Sequence, residues 1–213
     1  MGISYNTSIV TDGLVFALDA ANPRCYSGSG TSTMALVSGM GGTLYNGVGF
    51  TSSNSGSFVF DGINDIIRFS GTDIFGSIYT QCGWFRMNFP NNIFLLVDGG
   101  YAGTVIGQGR IDFYYKDSPP FFMRAGATFS SSRWNYVCSV RGATQKQIYL
   151  DTNLIATVND SDMYSCPYDY IQIGSNQGTD NLNGNISQIQ IYNRALSQQE
   201  IIQNYNATKG RYI

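Results

Sequence analysis

Residues 182–212 read LNGNISQIQIYNRALSQQEIIQNYNATKGRY, and the architecture is decided there. Ile189 and Ile191 alternate with glutamine, the period-two pattern of a strand with one buried face. Ile186 stands three residues before Ile189, which predicts a bulge or bend between them. Asn183–Gly184 supplies a turn signal where the strand opens. After Tyr192 the period changes. Ser197 followed three residues on by Glu200 is a capping box, each side chain satisfying an amide at a helix start. Leu196 and Ile201 hold the staple positions, Ile201, Ile202 and Tyr205 form an apolar stripe, and Gly210 follows the end. A strand therefore delivers the chain into one short C-terminal helix.

Upstream of this stretch the same period of two recurs. Leu14, Phe16 and Leu18 alternate in GLVFALDA, Phe58 and Phe60 in GSFVFDG, and Ile111, Phe113 and Tyr115 in RIDFYYKD. Trp134, Tyr136, Cys138 and Val140 share a face, as do Ile148 with Leu150 and Ile171 with Ile173. Turn signals punctuate the strands: Asp61–Gly62 as a tight hairpin, Pro119–Pro120, and Asp151–Thr152–Asn153. Many short strands with closely spaced turns predict an all-β sandwich or jelly roll of two antiparallel sheets. Residues 27–57, rich in glycine and serine, read as a long ordered loop with short strands inside one domain spanning 1–213.

Composition narrows the chemistry. Charged residues make up 12% of the 213, and polarity comes instead from Ser, Thr, Asn, Gln and 25 glycines, beside 15 Tyr and 13 Phe. The absence of histidine excludes Ser-His-Asp and Cys-His catalysis and imidazole metal sites. A net charge of -2 with no basic cluster argues against nucleic acid as a partner. No stretch reaches the roughly 20 apolar residues of a membrane span, and MGISYNTSIVTDG has neither the charged start nor the apolar run of a signal peptide. Cys25, Cys82, Cys138 and Cys166 are too far apart for a C-x-x-C motif. Two disulfides are arithmetically open, but the expectation is four free, mostly buried thiols, with Trp84, Tyr136 and Val140 beside Cys82 and Cys138 facing the core.

Three stretches, GLVFALDAANPRCYSGSGT at 13–31, GSFVFDGINDIIRF at 56–69 and the C-terminal one quoted above, carry a family resemblance. The chain resembles the laminin G-like, concanavalin A-like jelly-roll domains found in many tailed-bacteriophage structural proteins. That resemblance implies a non-enzymatic virion protein, foremost a capsid decoration protein on the particle exterior. Its implied partners are other virion proteins such as the major capsid protein, in a multi-copy or homo-oligomeric arrangement. The alternative is a tail fibre or baseplate lectin module recognising host-surface carbohydrate.

Hydrolases of this superfamily use clustered glutamates, whereas Glu200 is the sole glutamate here and is spoken for by the helix cap. The Asp pairs Asp61–Asp65 and Asp160–Asp162 lie in turn-like sequence, where Asp bonds its own backbone. Laminin G-like domains often bind Ca²⁺ at a sandwich rim, so the resemblance makes Asp19, Asn22, Asp61, Asn64 and Asp65 the metal candidates. They are not spaced as a contiguous loop, and no other cofactor is expected. Glycan binding needs aromatic platforms, for which Tyr101, Tyr114, Tyr164 and Tyr168 are the candidates.

Overall fold

The computed structural model describes residues 8–71, 74–88, 94–98, 102–107, 109–115, 122–129, 133–161, 170–175 and 180–213. Its strands in chain order are β1 (Leu14–Asp19), β2 (Ser32–Met34), β3 (Gly41–Tyr45), β4 (Gly49–Thr51), β5 (Ser57–Asp61), β6 (Ile66–Ser70), β7 (Tyr79–Met87) and β8 (Phe94–Asp98). There follow β9 (Ala102–Gly107), β10 (Arg110–Tyr115), β11 (Phe122–Gly126), β12 (Asn135–Arg141), β13 (Gln145–Leu150), β14 (Asn153–Asn159), β15 (Tyr170–Ile173) and β16 (Asn183–Tyr192). Helix α1 (Gln198–Thr208) closes the chain with a 3-10 turn at Lys209–Arg211.

Two antiparallel sheets are stacked. The first runs β14-β13-β12-β7-β16-β5-β4, with β1 also pairing β16; the second runs β11-β10-β9-β8-β15-β6-β3-β2. Between them lie Phe16, Phe58, Phe60, Ile67, Phe69, Phe85, Ile111, Phe113, Val137, Ile171, Ile173 and Ile189, all at most 1% exposed. Phe16 meets Phe69 edge-on with ring centroids 5.0 Å apart. Polar contact crosses this layer at Thr104, whose hydroxyl lies 2.9 Å from both Gln81 Oε1 and Ser139 Oγ. The glycine- and serine-rich segment is ordered into β2, β3 and β4.

β16 is the spine of the first sheet, and its register against β7 shifts between Ile186 and Gln188, where the sequence spacing predicts a bulge. Gly184 fits because nothing larger does. A Cβ there would fall 2.1 Å from the Arg86 carbonyl oxygen, so any side chain pushes β16 off β7. The β5–β6 connection differs from the tight turn expected at Asp61–Gly62. It spans residues 62–65, because the Asp61 carboxylate accepts from the Ile63 amide and holds a wider turn.

Two expectations about burial are refined by the helix layer. Trp84, Tyr136, Val140, Cys82 and Cys138 are buried, but on the outward face of the first sheet, in a second core with Tyr149, Tyr192, Leu196, Ile201 and Tyr212. Period two shows that these residues share a face and is silent on which layer covers it. Trp84 donates from its indole N–H to Thr208 Oγ1 at 2.8 Å and stacks on Tyr212 at 4.3 Å between centroids. Within α1, Ile201, Asn204 and Thr208 are the buried positions, while Ile202 is exposed and lies off the stripe.

The expectation of free thiols is corrected. Cys82 and Cys138 are directly opposed on β7 and β12, their Cα atoms 4.1 Å apart, and they form a disulfide. Strand register brings together two side chains 56 residues apart in sequence. Cys25 is free and buried, and Cys166 lies outside the described residues.

Candidate functional site

The outward face of the second sheet carries two groups of planar polar side chains. Alternation places them there. Ile67 and Phe69 point into the core, so Arg68 points out; Ile171 and Ile173 do the same for Gln172. Arg68 and Gln172 are register partners, and Arg68 Nη2 donates to Gln172 Oε1 at 2.7 Å. Gln172, fully buried, is itself held by its Nε2 donating to the Ser175 carbonyl at 2.7 Å. The guanidinium lies 5.4 Å from the centroid of the Tyr170 ring.

The second group sits on β10 and β11. Ile111, Phe113, Met123 and Ala125 face the core, leaving Arg110, Asp112 and Arg124 outside. Asp112 Oδ1 accepts from Arg124 Nε at 2.6 Å, and Oδ2 accepts from Arg124 Nη2 and Arg110 Nε, both at 2.9 Å. These bonds to Asp112 push the Arg124 guanidinium upward in pKa. The strand register runs from Arg68 through Gln172, Asp98 and Gly103 to Tyr114, so one row of residues spans the face.

Of the tyrosine candidates, Tyr114 stands in β10 within that row, with its side chain outside the described residues. Tyr101, Tyr164 and Tyr168 lie outside them entirely. The metal candidates divide into two turns, one opposite the middle of β16 and one opposite its start. Asp19 pairs with Gln188 and Asp61 with Asn183. At the first turn, the Asp19 carboxylate accepts from Ala21 N–H, Gln188 Nε2 and Arg211 Nη1, and Asn22 Oδ1 accepts from Arg24 N–H. Those oxygens serve the turn and the C-terminus.

At the second turn, Asp61 N–H donates to Asp65 Oδ2, and Asn46 Nδ2 donates to the Asn64 carbonyl. Asp65 Oδ1 is buried without a partner, and burial pushes that carboxyl up in pKa. Among the described residues no three acidic or thiol side chains converge as they would around a metal.

Ser197 is the N-cap of α1: its hydroxyl accepts from Glu200 N–H, and Glu200 Oε2 accepts from Ser197 N–H at 2.8 Å. Sequence reading missed what else holds Glu200. Arg194 grips it with Nη2 to Oε1 at 2.6 Å and Nη1 to Oε2 at 3.1 Å, and the carboxyl is drawn down to about 2. It also missed Arg68, Gln172 and the Asp112 group. Their signal is the polar residue between two apolar ones, in IIRFS and YIQIG. Only the fold shows that such positions, 104 residues apart, are neighbours.

Comparison with known proteins places the fold. The family model for the concanavalin A-like lectin/glucanases superfamily matches residues 60–202. No curated protein matches the chain by sequence. The binding domain of Paraclostridial Mosquitocidal Protein 1 superposes with a TM-score of 0.73 at 16% identity, over 92% of this chain and 52% of that one. Domain 4 of AbnA, an extracellular arabinanase from Geobacillus stearothermophilus solved with arabinotriose, gives 0.72 at 12% identity, over 90% of this chain and 97% of that one. The binding domain of botulinum neurotoxin serotype D gives 0.69 at 14%, over 91% and 51%. The chain thus spans about half the length of those toxin binding domains and nearly all of the arabinanase domain. On the family match and the stacked antiparallel sheets together, the chain belongs to the concanavalin A-like lectin/glucanases superfamily.

Proposed function

We propose that this chain is a non-catalytic, lectin-like module that binds carbohydrate on the outward face of its second sheet. The observation that carries this is the pre-oriented set of guanidinium, amide and carboxylate groups there: Arg68 on Gln172, and Arg110 and Arg124 on Asp112. Sugar hydroxyls are matched by such planar donors and acceptors when each is already fixed by a neighbour. The arabinotriose held by the arabinanase domain is consistent with the fold's use for binding. Hydrolysis needs two accessible carboxyls, one a proton donor. Glu200 is locked to Arg194 and held ionised, and Asp65 is 3% exposed with one oxygen bonded to Asp61 N–H.

The narrower reading rests on the resemblance of residues 13–31, 56–69 and 182–212. It puts the module on the exterior of a tailed-phage particle, in many copies against the major capsid protein. Repetition would then give avidity to weak individual contacts. Two measurements test these readings. On a glycan array the isolated protein should bind a defined set of sugars and lose them in Asp112→Ala; a blank array sinks the lectin reading. Quantitative mass spectrometry of virions should count hundreds of copies for capsid decoration, and a dozen or fewer would move the protein to the tail.

A further inference from the structure

We propose that Arg68 forms an anion subsite, so that the carbohydrate recognised on this face is acidic and presents a carboxylate to the guanidinium. The inference rests on the lectin reading above and goes beyond it in naming the ligand class. Three cations stand among the described residues of this face, and two of them, Arg110 and Arg124, are neutralised by Asp112. Arg68 differs. Among the side chains the structure describes it has no acidic partner, and the hydrogen bond it makes to them runs from Nη2 to the neutral Gln172 amide. Its Nε is buried and without a partner.

The guanidinium is nonetheless fixed in place. Gln172 is fully buried and pinned by the Ser175 carbonyl, and the Tyr170 ring lies against the cation. With Nε buried and Nη2 bonded to Gln172, Nη1 and the second Nη2 hydrogen remain for a ligand, and a carboxylate matches that pair with two parallel bonds. Pre-orientation means little side-chain freedom is lost on binding. A neutral sugar would leave the charge unanswered. A carboxylate-bearing sugar would answer it.

The test uses matched pairs on one array: tri-galacturonate against its methyl ester, and sialyllactose against lactose. The wild-type chain should favour the acidic member of a pair by roughly ten- to a hundredfold, as a charge-assisted bidentate contact does. Arg68→Gln should abolish that preference while keeping residual binding to the neutral member, which also certifies its fold. Arg24→Gln, an equal charge change at an exposed turn, should leave the preference intact. Equal binding within every pair, or neutral preference, overturns the acidic subsite and leaves the lectin reading standing. Loss of preference in Arg24→Gln reassigns it to general electrostatics and also overturns it. No binding to any glycan removes the lectin reading and the subsite with it.

Discussion

Glu200 joins three contacts in one side chain. Its carboxylate receives the Arg194 fork, the Ser197 amide and the Ser197 hydroxyl, and its own amide donates back to Ser197 Oγ. The Arg194 contact is the main reason its pKa falls from 4.5 to about 2, and the cap adds to it. A folded-state pKa below the unfolded one means that the ionised form favours folding. That stabilisation is complete above pH 4.5 and fades as pH falls towards 2. Glu200→Gln keeps an acceptor for the Ser197 amide and drops the ion pair. It should therefore cost about 1 kcal/mol at pH 7, the scale of a partly exposed pair. Urea melts should show the gap to the parent closing between pH 4.5 and 2; a gap that persists undiminished at the acid end would contradict the assignment. Ser197→Ala removes the cap itself and should cost about 0.5–2 kcal/mol at either pH.

At the scale of elements, β7 and β12 pair without a register shift. They run in register from Tyr79 opposite Arg141 to Phe85 opposite Asn135, with the Cys82–Cys138 bridge at the centre. Closing a loop of 56 residues restricts the unfolded chain by about 4 kcal/mol in the loop-entropy account. Cys82→Ala with Cys138→Ala should lower stability by about 2–5 kcal/mol, and peptide mapping without reductant should recover the two cysteines as one linked pair. Recovery of both as free thiols would refute the bridge. The elements themselves were readable because their signals are local: alternation along β16, the bulge after Ile186, the capping box at Ser197. The bridge was not readable, because nothing in RWNYVCSV says that QCGWF lies beside it. The same holds for the candidate site, where Arg68 and Gln172 look like ordinary outward strand residues until register joins them.

Over the whole molecule the two sheets divide the work. The outward face of the first sheet is closed by the C-terminal unit, and the ligand face proposed above is the outward face of the second. The closure is extensive. Trp84, Tyr136, Tyr149 and Tyr192 lie beneath α1 and the residues after it, each at most 4% exposed. Polar ties reinforce the packing: Arg211 to Asp19, Tyr212 OH to Ser187 Oγ, Asn54 Nδ2 to the Arg211 carbonyl, and Val10 N–H to Asn204 Oδ1. Deleting residues 196–213 strips this layer and uncovers four large aromatic rings together with the disulfide. Burying one such ring contributes a few kcal/mol, while a domain's net stability is about 5–15 kcal/mol. Loss of the layer should thus exceed what the sandwich can bear, giving insoluble or protease-sensitive protein. Tyr212→Ala, which keeps the helix and removes one stacking partner of Trp84, should cost about 3–5 kcal/mol in urea melts. A truncated chain that stays soluble with the parent's melting temperature would show that the inter-sheet core suffices alone, and that the helix layer is an accessory.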